Sequence, residues 1–408
     1  MKKFLIGSVM MISVLGVPAQ NVLGDTNEIA TPSINAGIQA SVSAGGFHTC
    51  AITGSGAAKC WGRNTDGQLG NSRNNNSSYP VQVSGLTENV MSISAGYDHA
   101  CAVTLAGAAK CWGNNDDGEL GNGNNTSSNR PVTVRGLNRG VAAISAGSNF
   151  TCAKLVSGSI KCWGKGTYTQ LGNGSTGSTN VPVRVIGLGE SAKSVSAGGL
   201  HACALLESGA VKCWGYNTSG QLGNGSLNST LVPVSVIAVD EVVAITTGAV
   251  HSCAILAAGE VKCWGSNSYG QLGTSRMEYS ATPVRVANVG ANITTISAGG
   301  SSNCVLNSDG IAKCWGDNTF GELGNGTVED VPHPRPARVL TLAGAKAVTV
   351  GWSHACAVTS GRKMRCWGYN VDGQMGNPDL TNMNPLPEPV LAGRAGRHIG
   401  NIGNILPI

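Results

Sequence analysis

Fourteen cysteines are the residues of this chain whose type and spacing could most readily do chemistry. They fall into seven pairs, and the two cysteines of each pair are ten positions apart. Thiols in such numbers can form disulfides or ligate a metal ion such as zinc. The pairs are Cys50 and Cys60, Cys101 and Cys111, Cys152 and Cys162, Cys203 and Cys213, Cys253 and Cys263, Cys304 and Cys314, and Cys356 and Cys366.

The spacing of the cysteines favours disulfides. A turn lies midway within each pair, as Ser55 does between Cys50 and Cys60. Residues placed symmetrically about a hairpin turn face each other at a Cα–Cα distance of about 4.5–5.5 Å, within the range that a disulfide requires. We therefore expect one disulfide in each pair, each closing a short loop and contributing about 2–3 kcal/mol to stability.

A metal site is the alternative, because histidine precedes the first cysteine of five pairs by two residues. Nine residues between cysteines is not the ligand spacing of zinc sites, and Phe150 and Ser302 replace histidine in two copies. We expect no metal and no cofactor, and we interpret the histidines as polar residues between structural units that hydrogen-bond to backbone. They are His48, His99, His201, His251 and His354.

A tryptophan follows the second cysteine of every pair. Because successive strand residues point to opposite faces, we expect these indoles to pack between units, on the face away from the disulfide. A ring of sugar-stacking or light-absorbing indoles is the alternative. Trp352 lies outside the pattern, and we expect it to be exposed. The seven are Trp61, Trp112, Trp163, Trp214, Trp264, Trp315 and Trp367.

No Ser-His-Asp, paired-carboxylate or phosphate-binding arrangement stands out from the repeat. Asp66, Asp117 and Asp372 precede a glycine in the turn after each Trp-Gly. A calcium loop needs a denser set of oxygen ligands, so we assign these aspartates to turn capping. We predict no catalytic residue and no enzymatic activity.

The cysteine pairs belong to a repeat whose first cysteine recurs seven times, at steps of 50–52 residues. In the second copy, Gly and Asn turns separate four short β-like segments, Val90–Ser94, His99–Thr104, Ala108–Trp112 and Pro131–Val134. Sustained helical periodicity is absent after the N-terminal apolar segment. The sequence therefore predicts an all-β, seven-bladed β-propeller of four-stranded antiparallel blades.

Such a ring has to close. We expect residues 34–42 to supply a strand that complements the last blade, whose fourth strand is Glu388–Leu391. An open solenoid is the alternative, but it would expose two sheet edges and require polar caps. We therefore expect a ring closed by the N-terminal strand.

The first residues have the pattern of a secretory signal peptide. Positive charge at Lys2 and Lys3 precedes the apolar run Phe4–Val17, and Val17-Pro18-Ala19 fits a cleavage site. The apolar run is too short for a comfortable membrane span, although an uncleaved anchor is the alternative. We expect a secreted, periplasmic or cell-surface protein, monomeric and without an integral membrane segment after cleavage.

The expected domain organisation is a signal peptide (1–19), a linker (20–33), a seven-bladed propeller (34–392) and a C-terminal tail (393–408). Charged residues make up only 12% of the chain and the formal net charge is +5. A charge this small over 408 residues gives no case for nucleic acid as a partner.

The copies diverge between the Gly-Asn turn and the next Pro-Val segment, and by symmetry these stretches lie on one face of the ring. Two of them carry contact-prone side chains, and loops on a rigid scaffold are frequent binding sites. Solvated loops without a role are the alternative. The candidate partner-binding residues are Arg276, Met277, Glu278, Tyr279, Glu329, Asp330, His333 and Arg335.

The repeat unit resembles the regulator of chromosome condensation repeat over residues 40–392. Ser-Ala-Gly-x-x-His-x-Cys-Ala, then Lys-Cys-Trp-Gly-x-Asn-x-x-Gly-Gln-Leu-Gly-Asn-Gly, then Pro-Val-x-Val-x-Gly-Leu carry the resemblance, most clearly in 94–121 and 196–225. The resemblance implies a seven-bladed propeller. The founding member is a guanine-nucleotide exchange factor for a small GTPase and binds nucleosomes, through elements for which the spacing here leaves no room.

The cysteine pairs are similar to those of exported bacterial members, and exported relatives of this architecture include protein inhibitors of β-lactamase. The sequence thus favours an exported, non-enzymatic scaffold that binds a protein or surface glycan through one loop face. The alternative by family analogy is an exchange-factor-like regulator of a small GTPase. An enzyme is the third hypothesis, and no residues support it.

Overall fold

A computed structural model of the chain describes residues 42–275 and 277–392. The expected signal peptide, linker and tail, residues 34–41 and Arg276 lie outside these residues. The described chain forms seven four-stranded sheets, each built from four consecutive antiparallel strands. The predicted all-β, seven-bladed propeller is confirmed. None of the described segments is a helix of the length and apolarity needed to cross a membrane.

Each blade runs from its innermost to its outermost strand in chain order. Blades 1 to 4 are β1 (Val42–Ala44), β2 (His48–Ile52), β3 (Ala58–Gly62), β4 (Ser77–Gln82); β5 (Val90–Ala95), β6 (His99–Thr104), β7 (Ala109–Gly113), β8 (Ser128–Thr133); β9 (Val141–Ala146), β10 (Phe150–Leu155), β11 (Ile160–Gly164), β12 (Thr179–Arg184); β13 (Ala192–Ala197), β14 (His201–Leu206), β15 (Val211–Gly215), β16 (Thr230–Ser235). Blades 5 to 7 are β17 (Val242–Thr247), β18 (His251–Leu256), β19 (Val261–Ser266), β20 (Tyr279–Arg285); β21 (Ile293–Ala298), β22 (Ser302–Asn307), β23 (Ala312–Asn318), β24 (Glu329–Arg338); β25 (Ala345–Val350), β26 (His354–Thr359), β27 (Met364–Tyr369), β28 (Met383–Pro389).

The outermost strands begin earlier than the sequence predicts. The strand β8 starts at Ser128, so Pro131 lies inside the strand and not at its first position. Proline is tolerated there because an outermost strand has one unpaired edge, where a missing N–H removes no ladder hydrogen bond. The fourth strand of blade 7 is likewise β28, Met383–Pro389, and not Glu388–Leu391.

Each cysteine pair lies directly opposite across the second and third strands of its blade, as Cys50 and Cys60 do across β2 and β3. All seven pairs are disulfides in the structure, with Cα–Cα distances of 4.0–4.1 Å, slightly shorter than expected. Every described cysteine is bridged. Each bridge therefore staples one hairpin and does not link two blades.

The seven tryptophans that follow the second cysteines are fully buried between blades. Trp112 of blade 2, for example, shares a hydrophobic cluster with Cys50 and Cys60 of blade 1. Its indole Nε1 also donates a hydrogen bond to the backbone oxygen of Gln68 in blade 1, at 2.9 Å. Each indole therefore packs away from its own disulfide and against that of the preceding blade, the arrangement expected from the sequence.

A closed circle of seven peptide groups surrounds the central channel. The turn after each innermost strand contains a glycine whose carbonyl oxygen accepts a hydrogen bond from the neighbouring blade on one side. The N–H of the residue after this glycine donates a hydrogen bond to the neighbouring blade on the other side. Gly46 N donates to Gly96 O at 2.9 Å, and the circle closes where Trp352 N of blade 7 donates to Gly45 O of blade 1 at 3.1 Å. The glycines are Gly45, Gly96, Gly147, Gly198, Gly248, Gly299 and Gly351.

These glycines are required because neighbouring turns approach too closely for a side chain. A Cβ placed on Gly96 would lie 2.5 Å from Gly147 O, and a Cβ on Gly147 would lie 2.5 Å from Gly198 O. Both distances are well below normal contact. The glycine at this position of every repeat thus follows from how closely the blades meet at the channel.

A second circle of hydrogen bonds uses the hydroxyl of the residue two positions before each of these glycines. Ala95 N of blade 2 donates to Ser43 Oγ of blade 1 at 2.9 Å, and Ala44 N of blade 1 donates to Thr349 Oγ1 of blade 7 at 3.2 Å. Adjacent blades are therefore clamped in both directions. The seven acceptors are Ser43, Ser94, Ser145, Ser196, Thr246, Ser297 and Thr349.

The two ends of the described chain meet at the boundary between blades 7 and 1, but not by sharing a sheet. The strand β1 pairs with β2 of its own blade, and the sheet of blade 7 consists of β25–β28. The expectation that residues 34–42 complement the last blade is therefore wrong for Val42, and residues 34–41 lie outside the described residues. The repeat begins with an innermost strand, so every blade is complete and the ring closes through contacts between blade faces.

Candidate binding surface on the loop face

The divergent segments of the repeat lie at one end of the blades. Because consecutive strands are antiparallel, the connections after the first and third strands of every blade emerge at the same end. We call this end the loop face. The opposite face carries the hairpin turns inside the disulfide loops and the links between blades.

The first candidate group, Met277 to Tyr279, is exposed on the loop face of blade 5. Asn267, which is buried, supports its backbone by donating from Nδ2 to Met277 O at 2.6 Å and to Thr274 O at 2.7 Å. The side chains of Met277, Glu278 and Tyr279 thus project to solvent from a fixed backbone. Arg276 of this group lies outside the described residues.

The second candidate group, Glu329 to Arg335, lies on a strand, whereas the sequence predicts a loop. The strand β24 is ten residues long because β23 continues to Asn318, which pairs with Glu329. Prolines occupy alternate positions 332, 334 and 336 of β24. Alternate residues of an edge strand direct their N–H groups away from the ladder, so these prolines are compatible with the strand.

The second candidate group contacts the connection of blade 5 that carries the first group. His333 N donates to Tyr269 O of blade 5 at 3.3 Å. Within the strand, His333 Nε2 lies 3.1 Å from Glu329 Oε2. Thr319, in the connection before the strand, donates from Oγ1 to Asp330 Oδ1 at 3.3 Å. Arg335 is exposed. Both groups therefore belong to one stretch of the loop face, on blades 5 and 6.

Exposed apolar side chains extend this stretch across blades 4 to 7. Val331 is 53% exposed and Tyr279 is 47% exposed. Among the described residues, the corresponding connections of blades 1 and 2 expose no large apolar side chain, and blade 3 exposes Tyr168. We call the set the outer patch. It comprises Leu227, Leu231, Val232, Tyr269, Met277, Tyr279, Val328, Val331, Val371 and Met383.

Five aromatic rings meet on the loop face around the channel. The rings of Tyr97 and Trp352 have centroids 4.8 Å apart, and those of Phe47 and Tyr97 lie 5.4 Å apart. Phe47 also contacts Tyr369 at 6.1 Å, and Tyr369 contacts Phe320 at 4.9 Å. All five are half-buried. We call them the mouth cluster, since Trp352 lines the channel, whose cavity is about 70 Å³.

Of this cluster, the repeat pattern singles out only Trp352, which is expected to be exposed but is half-buried against Tyr97. The five rings come from blades 6, 7, 1 and 2 and from four different positions of the repeat. At each of these positions, most of the other blades carry a small or polar residue. A comparison of equivalent positions across the seven copies would therefore have singled out the five aromatic residues.

Charged groups border the mouth cluster. The guanidinium of Arg63 lies over the Phe47 ring, with Cζ 5.5 Å from its centroid. Burial raises the pKa of the Asp98 carboxyl; Arg63 lowers it in part, and the charge on Asp66 raises it further. Burial also raises the pKa of the Tyr97 hydroxyl, as does the neighbouring Asp98. The charged groups that act on Asp98 are thus Arg63 and the carboxyl groups of Asp66 and Asp372.

The turn before each blade boundary is closed by a glutamine or glutamate, not by aspartate as expected. Gln68 Oε1 accepts from Asp66 N at 2.9 Å, and Glu119 Oε2 accepts from Asp117 N at 3.0 Å. The Asp117 carboxylate instead lies 3.5 Å from Lys165 Nζ. Burial raises the pKa of Glu119 to about 7, and burial raises that of Glu322 at the equivalent position to about 8.

The five histidines of the repeat form no site. Each is buried, and burial lowers the pKa of His48, His201 and His354 to about 3 and that of His99 and His251 to about 4. Four bond a side chain of the next blade, not backbone as expected, as His99 Nε2 does to Thr151 Oγ1 at 2.8 Å. All five histidines are therefore neutral near pH 7, and these four join adjacent blades.

The described residues contain no group of three or more His, Cys, Asp or Glu side chains arranged to hold a metal ion. The arrangement they do present is a rigid ring with an apolar outer patch and an aromatic, negatively charged mouth on the same face. Such a surface can bind a partner through apolar contact and charge.

Comparison with known proteins gives one consistent result. A model of the RCC1-like domain matches residues 11–334 and 111–403. The ultraviolet-B receptor UVR8 of Arabidopsis thaliana is 31% identical over 369 residues, which cover 88% of this chain and 84% of that protein.

Solved structures show the same fold. Prp20p from Saccharomyces cerevisiae superposes with a TM-score of 0.74 at 22% identity, covering 85% of this chain and 88% of that chain. Human WBSCR16 superposes with a TM-score of 0.72 at 22% identity, covering 81% of this chain and 92% of that chain.

Proposed function

The chain belongs to the RCC1-like domain family, and we propose that it is an exported, non-enzymatic scaffold that binds a protein through the loop face of blades 4 to 7. The outer patch is the observation that carries the proposal. Large apolar side chains concentrate on four adjacent blades at one end of the ring, and a concentration of exposed apolar side chains is typical of an interaction site.

The composition of the patch favours a protein over a glycan. Leucine, valine and methionine form most of it, and these side chains offer apolar area without hydrogen-bonding groups for sugar hydroxyls. The adjoining aromatic and charged residues, Tyr279 and Arg335, are types enriched at protein interfaces. Their support by fixed backbone reduces the entropy lost on binding.

Export is supported by the cysteines. Seven disulfides in one chain are typical of a protein that folds in an oxidising compartment. The segment expected to direct export, Phe4–Val17, lies outside the described residues. Cell fractionation with a count of free thiols tests this part: we expect an exported protein without free thiols, and a cytoplasmic protein with fourteen would contradict it.

Capture of a partner from extracts of the cell exterior tests the binding surface. Tyr279→Ala and Val331→Ala should each weaken capture at least five-fold, because buried apolar contacts at an interface contribute about 1–2 kcal/mol each. Leu105→Ala is the matched control, since Leu105 is 67% exposed but lies on the opposite face. A partner retained equally by all three variants would overturn the assignment of the surface.

Regulation of a small GTPase is the second candidate function. Prp20p, which has the same fold, has been described with its binding to Gsp1p and to histones. Under this alternative the protein would be cytoplasmic with reduced cysteines and would accelerate nucleotide release from a GTPase. The fractionation and thiol count therefore separate the two candidates before a partner is known.

A further inference from the structure

The mouth cluster is aromatic surface that stays half-buried, unlike the tryptophans packed between the blades. The tryptophans that do join blades are fully buried, and each donates its Nε1 to a neighbouring blade. Phe47, Tyr97 and Trp352 are instead half-buried in turns of the loop face and contact one another edge to face. Part of each ring remains open to solvent beside the channel.

One of these rings already holds a cation. The Arg63 guanidinium lies 5.5 Å from the centroid of Phe47, within the range of a cation–π contact. Tyr and Trp rings attract cations at least as well as Phe, and no such contact to Tyr97 or Trp352 occurs within the described residues. The mouth therefore has aromatic surface suited to a second cation.

The carboxylates around the cluster have no cationic partner of their own. Gln68 Nε2 donates to Asp98 Oδ1 at 3.1 Å, Thr65 donates to Asp66, and Asn76 Nδ2 donates to Asp372 at 2.8 Å, so each is bonded by a neutral group. In the described part of the chain, the ion pairs involve Asp117, Glu260 and Glu329, and none involves these three aspartates. Three carboxylates thus face one guanidinium, in a chain whose overall charge is +5.

We propose that the mouth cluster binds a lysine or arginine side chain of the partner protein, which stacks on Tyr97 and Trp352 and is neutralised by Asp98. The proposal rests on the protein-binding function and adds the type of side chain that enters the mouth. Charge decides the choice of occupant, because an anionic or neutral group would leave the negative charge of the mouth unbalanced. The outer patch then contacts the apolar surface around that side chain.

Titration with argininamide tests the proposal without any partner. Binding is followed by the NMR shift of the Trp352 indole N–H, identified by its loss in Trp352→Phe. Glutaminamide, which carries the same α-amino group but an uncharged side chain, serves as the comparison probe. We expect argininamide to shift this resonance in a saturable manner, at least five-fold more tightly than glutaminamide. Raising the salt concentration should weaken binding, because charges near the surface are screened.

Asp98→Asn isolates the charge. An asparagine oxygen can still accept the hydrogen bond from Gln68, so the turn is preserved, and we expect argininamide to bind at least three-fold more weakly. Asp309→Asn is the control, because Asp309 is an exposed carboxylate in a hairpin turn of the opposite face. Asp372→Asn is a second variant in case Asp98→Asn disturbs the fold.

Three results would overturn the proposal: no saturable shift with argininamide, equal binding of glutaminamide, or unchanged binding in both Asp98→Asn and Asp372→Asn. If argininamide does not bind as expected, the protein-binding function can still be tested on its own through Tyr279→Ala. Conversely, argininamide binding without capture of a partner would support the cation site and count against the larger interface.

Discussion

Two buried carboxylates occupy a position that is glutamine in the other five blades. Burial raises the pKa of Glu119 to about 7 and that of Glu322 to about 8. A carboxyl with a raised pKa holds its proton more tightly in the folded state, so its contribution to stability is complete below the unfolded value of 4.5. That stability is lost as the pH rises to about 7 for Glu119 and about 8 for Glu322.

Replacing both residues by glutamine should therefore stabilise the protein above neutral pH. At pH 8 we expect Glu119→Gln and Glu322→Gln each to raise the free energy of unfolding by on the order of 2 kcal/mol. The gain should vanish near pH 4, as measured by denaturant unfolding at both pH values. Glu207→Gln changes an exposed carboxylate, and a similar gain in that control would show that the effect is not burial.

One histidine lacks the partner that the others have. His99 hydrogen-bonds the Thr151 hydroxyl of the next blade, and His354 hydrogen-bonds that of Thr49 at 2.7 Å. At the equivalent position for His48, the next blade carries Ala100, which has no hydroxyl. Both ring nitrogens of His48 are buried without a hydrogen bond. An unpaired buried polar group costs about 1–3 kcal/mol.

Ala100→Thr should supply the missing hydroxyl and raise the free energy of unfolding by about 1 kcal/mol. Ala202→Thr is the control, because Ala202 takes the same place opposite Phe150, which cannot accept or donate. Thermal unfolding of both variants checks the prediction. Stabilisation by Ala202→Thr, or its absence in Ala100→Thr, would show that the His48 nitrogens are not the cause.

At the scale of the element, the stapled hairpin is the unit that the sequence specifies. Removing the bridge of blade 4 by Cys203→Ala and Cys213→Ala should lower the free energy of unfolding by about 2–4 kcal/mol, because the bridge restrains the unfolded chain and packs with Trp264. Denaturant unfolding of the double variant measures this loss. A change below about 1 kcal/mol would mean that the neighbouring blades alone hold the hairpin.

The sequence predicts this element well because both partners are local. Cys50 and Cys60 are ten residues apart, and symmetry about one turn is enough to place them opposite each other. A hydroxyl residue and a glycine two positions later also recur in every copy, yet their role depends on the neighbouring blade, to which Ser43 Oγ and Gly46 N bond across about fifty residues. The sequence likewise does not predict the extension of β24, because this extension depends on the pairing of Asn318 with Glu329.

The candidate site is harder to predict than the fold for the same reason. Phe47 and Tyr369 are more than three hundred residues apart in the chain and meet only because the ring closes between blades 7 and 1. The repeat pattern predicts that closure but not which variable positions converge on it. Met277 and Tyr279 are predicted as candidates because they lie together in one divergent segment.

At the scale of the whole molecule, the boundary between blades 7 and 1 differs from the other six because no chain link spans it. Trp61→Phe removes a hydrogen bond to Gln374 O at this boundary, and Trp264→Phe removes one of equal length, 2.9 Å, to Gln221 O between linked blades. Each change should lower the free energy of unfolding by about 1–3 kcal/mol.

The two variants should differ in hydrogen exchange. Trp61→Phe should accelerate exchange in the inner strands of both blades 1 and 7, because this boundary can open without stretching a chain link. Trp264→Phe should affect mainly the boundary between blades 4 and 5. Equal patterns in the two variants would show that the closing boundary is no weaker than the others.

The circle of peptide groups at the channel has an electrical consequence. Each of its amides accepts through the glycine carbonyl and donates through the next N–H, always in the same rotational sense, from Gly46 round to Trp352. Aligned amides polarise one another, and in a helix they leave opposite partial charges at the two ends. A circle has no ends. The seven dipoles thus reinforce one another around the channel while their sum along any direction in its plane cancels, so the backbone ring has no net dipole in that plane.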